Sequence, residues 1–359
     1  MNYSSFRFTR PVAFAVFLVA AAVPAFALKF AAIEHHLKAD PSIPAWKPGP
    51  VTTIPEEEFN LVGADIMDEI TLGWVKLFRE AYPKLSVTME ARASGSGVPA
   101  LTEGKAHAAP VGREALPAEH DAFVKKYGYE PFAIKVATGS LGSLGKTATS
   151  IVLVAKSNPI KGLTFQQLDQ IYSKSHKLGG PDITKWGQLG LTGEWADKPI
   201  GVYGFNLRYN TATDFADKVL GASDKWNEKI KAYGHVVQAD GTRYIQADQI
   251  TDNLGKDRYG IAFNRYRGER PKVKRLAIAP KGGGAPVAHT IENIQSRRYP
   301  LFNEAYFYTS VPPGTKMNPM VREFLRYMLS QEGQAEIQRD GKYLPLTAEV
   351  VREQLKKLE

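Results

Sequence analysis

Polar and apolar positions follow one another along this chain in a way that predicts strands and helices in turn. The apolar stretch at 59–63 predicts a short strand, and the stretch at 85–90 predicts a second one. Between them Ile70, Trp74 and Phe78 recur every four residues, which places them on one face of a helix. Alternating β and α segments are typical of a parallel sheet covered by helices, whose ligands bind at the carboxyl ends of the strands.

The same pattern continues to the carboxyl terminus. Further strands are predicted at 132–138, 150–155, 199–205, 259–263, 273–279 and 305–309, and a short apolar run covers 108–113. Further helices are predicted at 98–104, around Phe123, at 164–172, around Phe215, at 319–330 and at the charged terminus, with a short segment at 333–339 before the last of them. A chain of 359 residues, 43% of them hydrophobic, is long enough to form two lobes.

Four small residues, Ser94, Gly95, Ser96 and Gly97, connect the second predicted strand to the helix predicted from residue 98. Small residues let a ligand approach the backbone closely, and the first N–H groups of a helix have no partner within it. Together with the positive end of the helix dipole, these donors favour a phosphate, sulfate or carboxylate. The alternative is an ordinary turn whose hydroxyls cap the helix.

A second candidate anion site follows the strand predicted at 199–205. Thr211 and Thr213 precede or begin the helix that contains Phe215, and Arg208 supplies a fixed positive charge with several donors. Capping of the helix by either threonine is the alternative interpretation, and it is compatible with anion binding.

Arg113 ends the short apolar run at 108–113. It either faces the same cleft as the two anion sites or pairs on the surface with Glu114 or Glu119. The spacing alone favours neither interpretation.

The segment at 139–149 contains Gly-Lys-Thr at 145–147, which resembles a nucleotide-binding P-loop. Ser140 stands where that motif requires glycine, and the apolar residues at 150–155 predict a strand in place of the helix that must follow. The segment is therefore predicted to be a flexible hairpin insertion and not a nucleotide site.

The amino terminus has the features of an export signal. Two arginines precede an apolar run at 12–23, and Ala25, Phe26 and Ala27 offer a site for signal peptidase. The run is too short for a comfortable membrane span. We therefore expect cleavage after Ala27 and a soluble protein in the periplasm.

Composition argues against several classes of site. Cysteine is absent, which removes disulfides, a Cys-based metal site, a Cys nucleophile and a lipid anchor at a cysteine. The formal net charge is +9, but Lys and Arg are scattered, so nucleic acid is not an expected partner.

Residues 28–58 are rich in proline and predict an extended lead-in outside the core. His35 and His36 lie there without a further nearby ligand, so neither a metal nor a cofactor is expected.

The order of these segments closely resembles one family, the phosphate-binding substrate-binding proteins of ABC importers, from about residue 61 to residue 346. No single motif is decisive, but the order of all of them is specific. The motifs are Gly63-Ala64 before a Trp-bearing helix, the Ser/Gly segment at 94–97, Gly112-Arg113 before Glu119, Asn158-Pro159-Ile160, Trp186 with Leu189-Gly190, and the segments at 259–262, 299–301, 324–334 and 341–346.

The resemblance implies the type II periplasmic-binding-protein fold. This is an α/β fold of two lobes, each a mixed sheet covered by helices, with the ligand cleft between the lobes and two chain crossings connecting them. On this basis residues 59–137 form the first part of lobe 1, and residues 138–264 form lobe 2. Residues 265–359 then return to lobe 1 and end in a helix.

The resemblance also implies ligand contacts at the positions that match the family's motifs. Ser94 matches the hydroxyl-bearing position of the Ser/Gly loop, and Arg208 matches the arginine that precedes a Ser-Gly-Thr motif. In this chain that motif is Thr211, Ala212 and Thr213. Both hydroxyls are therefore present.

Three positions depart from the family pattern. Ala212 replaces the glycine of the second motif, and Gly112 stands where many relatives have serine. Asp65 replaces a small or hydroxylated residue; it either caps its own helix or accepts a hydrogen bond from a protonated oxyanion. A carboxylate facing a fully ionised phosphate would weaken binding, because like charges repel in a cleft of low dielectric constant.

The leading hypothesis is a monomeric binding protein without enzyme activity. It is expected to capture phosphate or a related oxyanion and to deliver it to the membrane subunits of an ABC importer. A protein of the same fold that senses the anion or serves envelope assembly is one alternative. An exported hydrolase that uses a serine with His107 or His120 is another, although neither Ser94 nor Ser96 has the flanking glycines of a Gly-x-Ser-x-Gly elbow.

Overall fold

The structure is a computed structural model that describes residues 37–49, 58–141, 146–223, 225–266 and 270–359. The predicted signal segment at 1–27, parts of the lead-in and residues 142–145 of the predicted insertion lie outside the described residues. The helices are α1 (Asp68–Ala81), α2 (Ser94–Glu103), α3 (Pro117–Tyr127), α4 (Phe165–Tyr172), α5 (Asn210–Val219), α6 (Gln246–Leu254), α7 (Ile291–Gln295), α8 (Pro319–Met328), α9 (Gln331–Asp340) and α10 (Ala348–Lys356). Short 3-10 helices cover Asp65–Met67, Trp186–Leu189 and Gly193–Trp195.

The first sheet is built around three parallel strands. Its members are β1 (Phe59–Ala64), β2 (Val87–Arg92), β3 (Ala108–Val111), β4 (Phe132–Thr138) and β14 (Glu304–Thr309), in the spatial order β2-β1-β3-β14-β4. β1 runs parallel to β2 and β3, whereas β14 runs antiparallel to β3 and β4. The carboxyl ends of β1, β2 and β3 therefore meet at one edge of the sheet.

The second sheet is also mixed. Its members are β5 (Ser150–Ala155), β7 (Gly201–Phe205), β8 (Lys231–Tyr233), β11 (Gly260–Arg265) and β12 (Val273–Arg275), in the order β12-β5-β11-β7-β8. Two short ladders join β6 (Gly162–Leu163) to β13 (Ala277–Ile278) and β9 (Val236–Val237) to β10 (Arg243–Tyr244). The chain leaves the first sheet after β4 and returns to it at β14. The predicted α/β fold of two mixed sheets covered by helices is confirmed.

Two elements differ from their predicted positions. α2 begins at Ser94 and not at residue 98, so the Ser/Gly segment is the first turn of a helix and Pro99 lies inside it. β12 pairs with β5 and thus belongs to the second sheet, although the predicted lobe boundaries placed it in the part that returns to lobe 1. The pairing of an edge strand depends on tertiary hydrogen bonds that a local pattern does not contain. The division of the chain into lobes stays a prediction.

The apolar face predicted for α1 packs into the core of the first lobe. Ile70, Trp74 and Phe78 are at most 1% exposed. The indole Nε1 of Trp74 donates a hydrogen bond to the carbonyl of Gly333 at the start of α9, at 2.8 Å. The helical period in the sequence therefore identified this face correctly.

The lead-in is not wholly outside the core, as the proline-rich sequence had suggested. Within its described part, Ile43 is 3% exposed, and the ring of Trp46 packs against Phe78 and Tyr327 with centroids 5.5 and 4.8 Å apart. The indole Nε1 of Trp46 also donates to Glu323 at 2.8 Å. Two apolar side chains among prolines were enough to dock the segment on α8 and α9, which composition alone does not reveal.

A buried histidine anchors the first crossing between the sheets, which is the segment that connects β4 to β5. His289 is 4% exposed, and its Nδ1 accepts a hydrogen bond from Nη1 of Arg275 at 2.8 Å. Its other ring nitrogen, Nε2, therefore carries the proton and donates to the hydroxyl of Thr149 at 2.6 Å. Burial and the Arg275 charge lower the pKa of His289 to about 3. The ring is neutral in the folded protein at neutral pH.

Three glycines allow β1, α2 and β3 to approach one another closely. A Cβ on Gly63 would lie 2.1 Å from the carbonyl oxygen of Pro110, and a Cβ on Gly97 would lie 2.8 Å from Cγ2 of Val111. A Cβ on Gly112 would lie 2.4 Å from Cδ1 of Ile66. Real Cβ atoms do not tolerate these distances, so the three positions require glycine for packing.

Gly63→Ala should destabilise the protein by about 3 kcal/mol, because the new methyl group meets backbone that cannot move away. Urea unfolding followed by circular dichroism measures this change. Gly282→Ala is the matched control, since a Cβ there meets no atom within 4 Å, and it should change the free energy of unfolding by less than about 0.5 kcal/mol. Equal stability of the two variants would contradict the packing argument.

His289→Gln should make the free energy of unfolding less dependent on pH between pH 6.5 and pH 5. The folded pKa lies below the usual value, so the unfolded chain takes up the proton first and the folded state loses stability as the pH falls through 6.5. The slope is about 1.4 kcal/mol per pH unit, and the wild type should lose about 2 kcal/mol more than the variant over this range. Urea midpoints at the two pH values test this, and parallel losses in both proteins would refute it.

Candidate functional site

The first turn of α2 lies at the carboxyl edge of the first sheet. Ser94 is the first helical residue, and the backbone bonds of this turn begin with the N–H of Ser96, which donates to the carbonyl of Ala93 at 2.9 Å. The Ser96 hydroxyl also donates to the carbonyl of Ala93, at 2.7 Å. The N–H groups of Ser94 and Gly95 precede these bonds and are the donors that a helix N-terminus offers to an anion.

The first turn of α5 has the same position on the second sheet, directly after β7. Its internal bonds begin with Ala212 and Thr213, whose N–H groups both donate to the carbonyl of Tyr209, at 2.9 and 3.2 Å. No side chain caps this helix, and Tyr209 is the N-cap residue. Capping by Thr211 or Thr213 was therefore the wrong interpretation, because both threonines lie inside the helix.

Arg113 satisfies both interpretations that the sequence left open. Its guanidinium donates to the two carboxylate oxygens of Glu119 at 2.7 and 2.8 Å, and both side chains are largely buried. A Cβ on Gly95 would lie 3.6 Å from Nη2 of Arg113, so the arginine adjoins the first turn of α2. Its Nε is buried and has no hydrogen-bond partner among the described residues. One donor of Arg113 thus stays unused.

Arg265 is the corresponding arginine of the second sheet. It is the last residue of β11 and lies opposite Ser150 in the ladder with β5. Its Nε is buried and lacks a hydrogen-bond partner among the described residues. Burial lowers the pKa of Arg265, whereas the carboxylate of Asp214 in α5 raises it. The guanidinium stays charged at neutral pH, because an arginine pKa lies far above 7.

A cavity of about 620 Å³ lies between the two sheets. Arg113 and Glu114 line it from the first lobe, and Thr213 and Asp214 line it from the first half of α5. The basic residues of its wall are Arg113, Lys135, Lys218, Lys281, Arg297 and Arg298. The acidic ones are Glu114, Asp214, Asp217 and Glu304. The excess of basic over acidic groups favours an anionic ligand.

Charges from both lobes act on one another in this cavity. Partial burial and the neighbouring carboxylate of Asp214 raise the pKa of Asp217, while Lys218 and Arg113 oppose that change. Arg113 belongs to the first lobe, so its effect on α5 shows how near the two walls are. Lys218 forms an ion pair with Asp214 at 3.0 Å and donates to the carbonyl of Phe302 at 3.0 Å. This lysine therefore connects α5 to the segment that leads into β14.

The remaining predicted site residues differ in their exposure. Thr211 and Ala212 are buried in the first turn of α5. Arg208 is exposed, and Asn206 accepts a hydrogen bond from its backbone N–H at 3.1 Å. Asp65 is exposed at the start of the short helix after β1 and accepts from the N–H of Ile66 at 2.9 Å. Ala64, and not Asp65, is the N-cap residue of that helix, and no side chain caps it, so capping by Asp65 was the wrong interpretation.

Arg265 is the residue that sequence reasoning missed. The apolar pattern at 259–263 predicts a buried strand that ends two residues before Arg265. A charged residue directly after a buried strand, at the edge where the ligand loops gather, is the signal that could have found it. Arg208 was predicted as a ligand residue because it stands beside a recognisable motif, but it is exposed.

The described residues contain neither a candidate metal cluster nor a candidate membrane span. No group of three or more His, Asp or Glu side chains is arranged to hold a metal ion in the part of the chain that the structure describes. In the same part, every helix is too short or too polar to cross a membrane.

Comparison with known proteins places the chain among binding proteins. Residues 51–332 match the family model of PBP superfamily domains. The phosphate-binding protein PstS of Pseudomonas aeruginosa is 33% identical over 298 residues, which are 83% of this chain and 85% of that protein. PstS from Borrelia burgdorferi has a TM-score of 0.54 at 15% identity, over 81% of this chain and 99% of that one. The ABC-type phosphate transport receptor from Vibrio cholerae has a TM-score of 0.51 at 17% identity, over 80% and 99% of the two chains.

The two structural likenesses concern the fold, whereas the family model and the identity to the Pseudomonas protein concern descent. Both of the latter extend over most of the chain. The chain therefore belongs to the PBP superfamily and, within it, to the family of the PstS phosphate-binding proteins.

Proposed function

We propose that this protein binds inorganic phosphate, or a closely related oxyanion, in the cleft between its two sheets and does not convert it chemically. One observation carries the proposal. Arg113, which adjoins the first turn of α2, and Thr213 in the first half of α5 line one cavity between the two sheets, and Arg113 and Arg265 each have a buried Nε without a partner among the described residues.

Such an arrangement matches the chemistry of an oxyanion. The oxygens of phosphate point in four directions and accept hydrogen bonds from several sides. Two helix ends supply N–H donors from opposite walls, and Arg113 and Arg265 supply charge-assisted donors between them. Ser94, Ser96, Thr211 and Thr213 add hydroxyls to the same two turns.

Not all predicted ligand residues are equally supported by their position. Gly97 allows the first turn of α2 to lie close to β3, Gly95 lies beside Arg113 and Glu119, and Ala212 is buried in the first turn of α5. Arg208 is exposed, so we give the charge-neutralising role in the second lobe to Arg265. Asp65 is assigned to its local backbone contact, at the rim of the site.

The proposed biological role follows from the family. The Pseudomonas relative is a phosphate-binding protein, and the Vibrio structure is an ABC-type phosphate transport receptor. We propose that residues 1–27 direct export, that the mature chain is a monomer in the periplasm, and that it delivers its ligand to the membrane subunits of an ABC importer. Closure of the lobes on the ion would create the form that those subunits recognise.

Isothermal titration of the purified, phosphate-free protein should show one-to-one binding of phosphate. Sulfate and small carboxylates, titrated in parallel, define the ligand class, because the helix ends and arginines alone accept any oxyanion. We expect phosphate to bind most tightly. Absence of heat with every anion would overturn the oxyanion assignment.

Arg265→Gln should weaken phosphate binding by about tenfold to a hundredfold, since it removes a charge-assisted donor from the ligand. Arg258→Gln is the control. That arginine lies on the surface of the second lobe, where it pairs with Glu194. The affinity of the control should stay within about twofold of the wild type. If both variants bind like the wild type, Arg265 does not contact the ligand.

A further inference from the structure

Two segments of the second lobe have a strongly one-sided charge. Residues 150–168 and 270–291 together contain seven Lys or Arg residues and no Asp or Glu. In the whole chain the two classes are close in number, with 46 basic and 37 acidic residues. Because the two segments are far apart in the sequence, their basic residues look scattered until the chain is folded.

Strand pairing brings the two segments together. β12 is the edge strand of the second sheet and pairs with β5. The N–H of Lys156 donates to the carbonyl of Lys272 at 2.9 Å, and the N–H of Ala277 donates to the carbonyl of Lys161 at 3.2 Å. We call the resulting surface the basic edge, and its residues are Lys156, Lys161, Arg270, Lys272 and Lys274.

Acidic side chains neutralise little of the basic edge. Arg270 pairs with Asp248 of α6 at 2.6 Å. The four lysines form no ion pair with any residue that the structure describes. Lys156, Lys161 and Lys272 are exposed, so a partner in solution can reach them.

Lys274 shows that these charges are held against one another. Its side chain is half-buried, and burial and the charge of Lys161 both lower its pKa. Like charges kept close together cost free energy, which an external anion would recover. The surface here forms a groove of about 540 Å³, lined by Lys156, Arg270, Pro271, Val273, Lys274 and Arg275.

A simpler role explains only part of this surface. Lysines on an edge strand prevent it from pairing with another chain, and β12 is such a strand. That role requires charge on the edge strand itself. Lys156 follows β5 and Lys161 precedes β6, so neither belongs to β12.

The character of the basic edge favours an extended anionic partner. Among the described residues, the exposed large apolar side chains are Leu72, Val236 and Val237, and none of them lies in the two segments. Attraction of clustered basic residues without apolar insertion is how polybasic surfaces bind anionic lipid headgroups. The proposed delivery of the ligand to membrane subunits brings the protein to a bilayer, whereas an exported protein meets no nucleic acid there.

We propose that the basic edge is a docking surface for an anionic lipid bilayer, which holds the protein at the membrane while the cleft stays accessible. None of its five residues lines the interlobe cavity. Binding is electrostatic and reversible, and salt weakens it because exposed charges are screened. The inference rests on the proposed function only for the location of the protein, since docking itself needs no phosphate.

Cosedimentation with lipid vesicles tests the proposal. The chain without residues 1–27 is used, because the apolar run at 12–23 would bind lipid by itself. Vesicles of phosphatidylglycerol and phosphatidylcholine should bind the wild type at about 0.15 M salt and release it at about 1 M salt. Vesicles of phosphatidylcholine alone should not bind it.

The variant that carries both Lys156→Glu and Lys272→Glu should bind the anionic vesicles about twentyfold more weakly or worse, since each lysine near an anionic surface contributes about fivefold. The matched control carries Lys225→Glu and Lys229→Glu, which change the net charge equally. Both control lysines are exposed between α5 and β8, beside the exposed Glu228. The control should bind within about threefold of the wild type, because charges away from the contact are screened.

Urea unfolding checks that both double variants fold. Should the charge reversal unfold the protein, Lys156→Gln with Lys272→Gln removes the two charges without adding acids, and it should weaken vesicle binding in the same direction. Titration with inorganic phosphate should give the wild-type affinity in every variant.

The outcomes separate docking from ligand binding. Loss of vesicle binding in the Lys156 and Lys272 variant alone supports the proposal. Equal loss in the control overturns it, because net charge would then explain the effect, and absence of wild-type binding to anionic vesicles also overturns it. Unchanged vesicle binding with slower phosphate association overturns it as well, since the basic edge would then steer the ligand. Vesicle binding by a wild type that does not bind phosphate overturns the proposed function alone.

Discussion

The close packing of β1, α2 and β3 fixes the place of the first sheet's groups around the cleft. Gly63 and Gly97 allow distances to β3 that no Cβ permits, and Gly112 does the same toward the turn after β1. This packing fixes the first turn of α2 beside Arg113. The second sheet repeats the arrangement, with α5 after β7 and Arg265 at the end of β11. Because strands and helices are rigid, the donors stay in position while the cleft is empty.

This arrangement costs free energy, because it leaves buried polar groups without hydrogen-bond partners in the free protein. The buried side-chain atoms without a partner among the described residues include the Nε atoms of Arg113 and Arg265. Buried polar atoms are almost always hydrogen-bonded in folded proteins. In the proposed complex these two Nε–H groups would donate to the ligand.

Local patterns predicted the elements well and the tertiary contacts poorly. The strands Phe132–Thr138 and Ser150–Ala155 were predicted to the residue, because alternation and unbroken apolar runs are local signals. The docking of Trp46 and the pairing of Val273–Arg275 depend on distant partners. Arg265 is the clearest case in the site. Its importance comes from the unpartnered Nε and from Asp214, which lies 51 positions earlier, and neither is visible in the sequence around it.

The two arginines are balanced within their own lobes. Arg113 is paired with Glu119 of α3, and the charge of Arg265 is stabilised by Asp214 of α5. In the proposed complex each arginine would offer its Nε–H to the ligand. Recognition in the proposed complex would accordingly depend on directed hydrogen bonds more than on net charge, which favours an ion of defined geometry over anions in general.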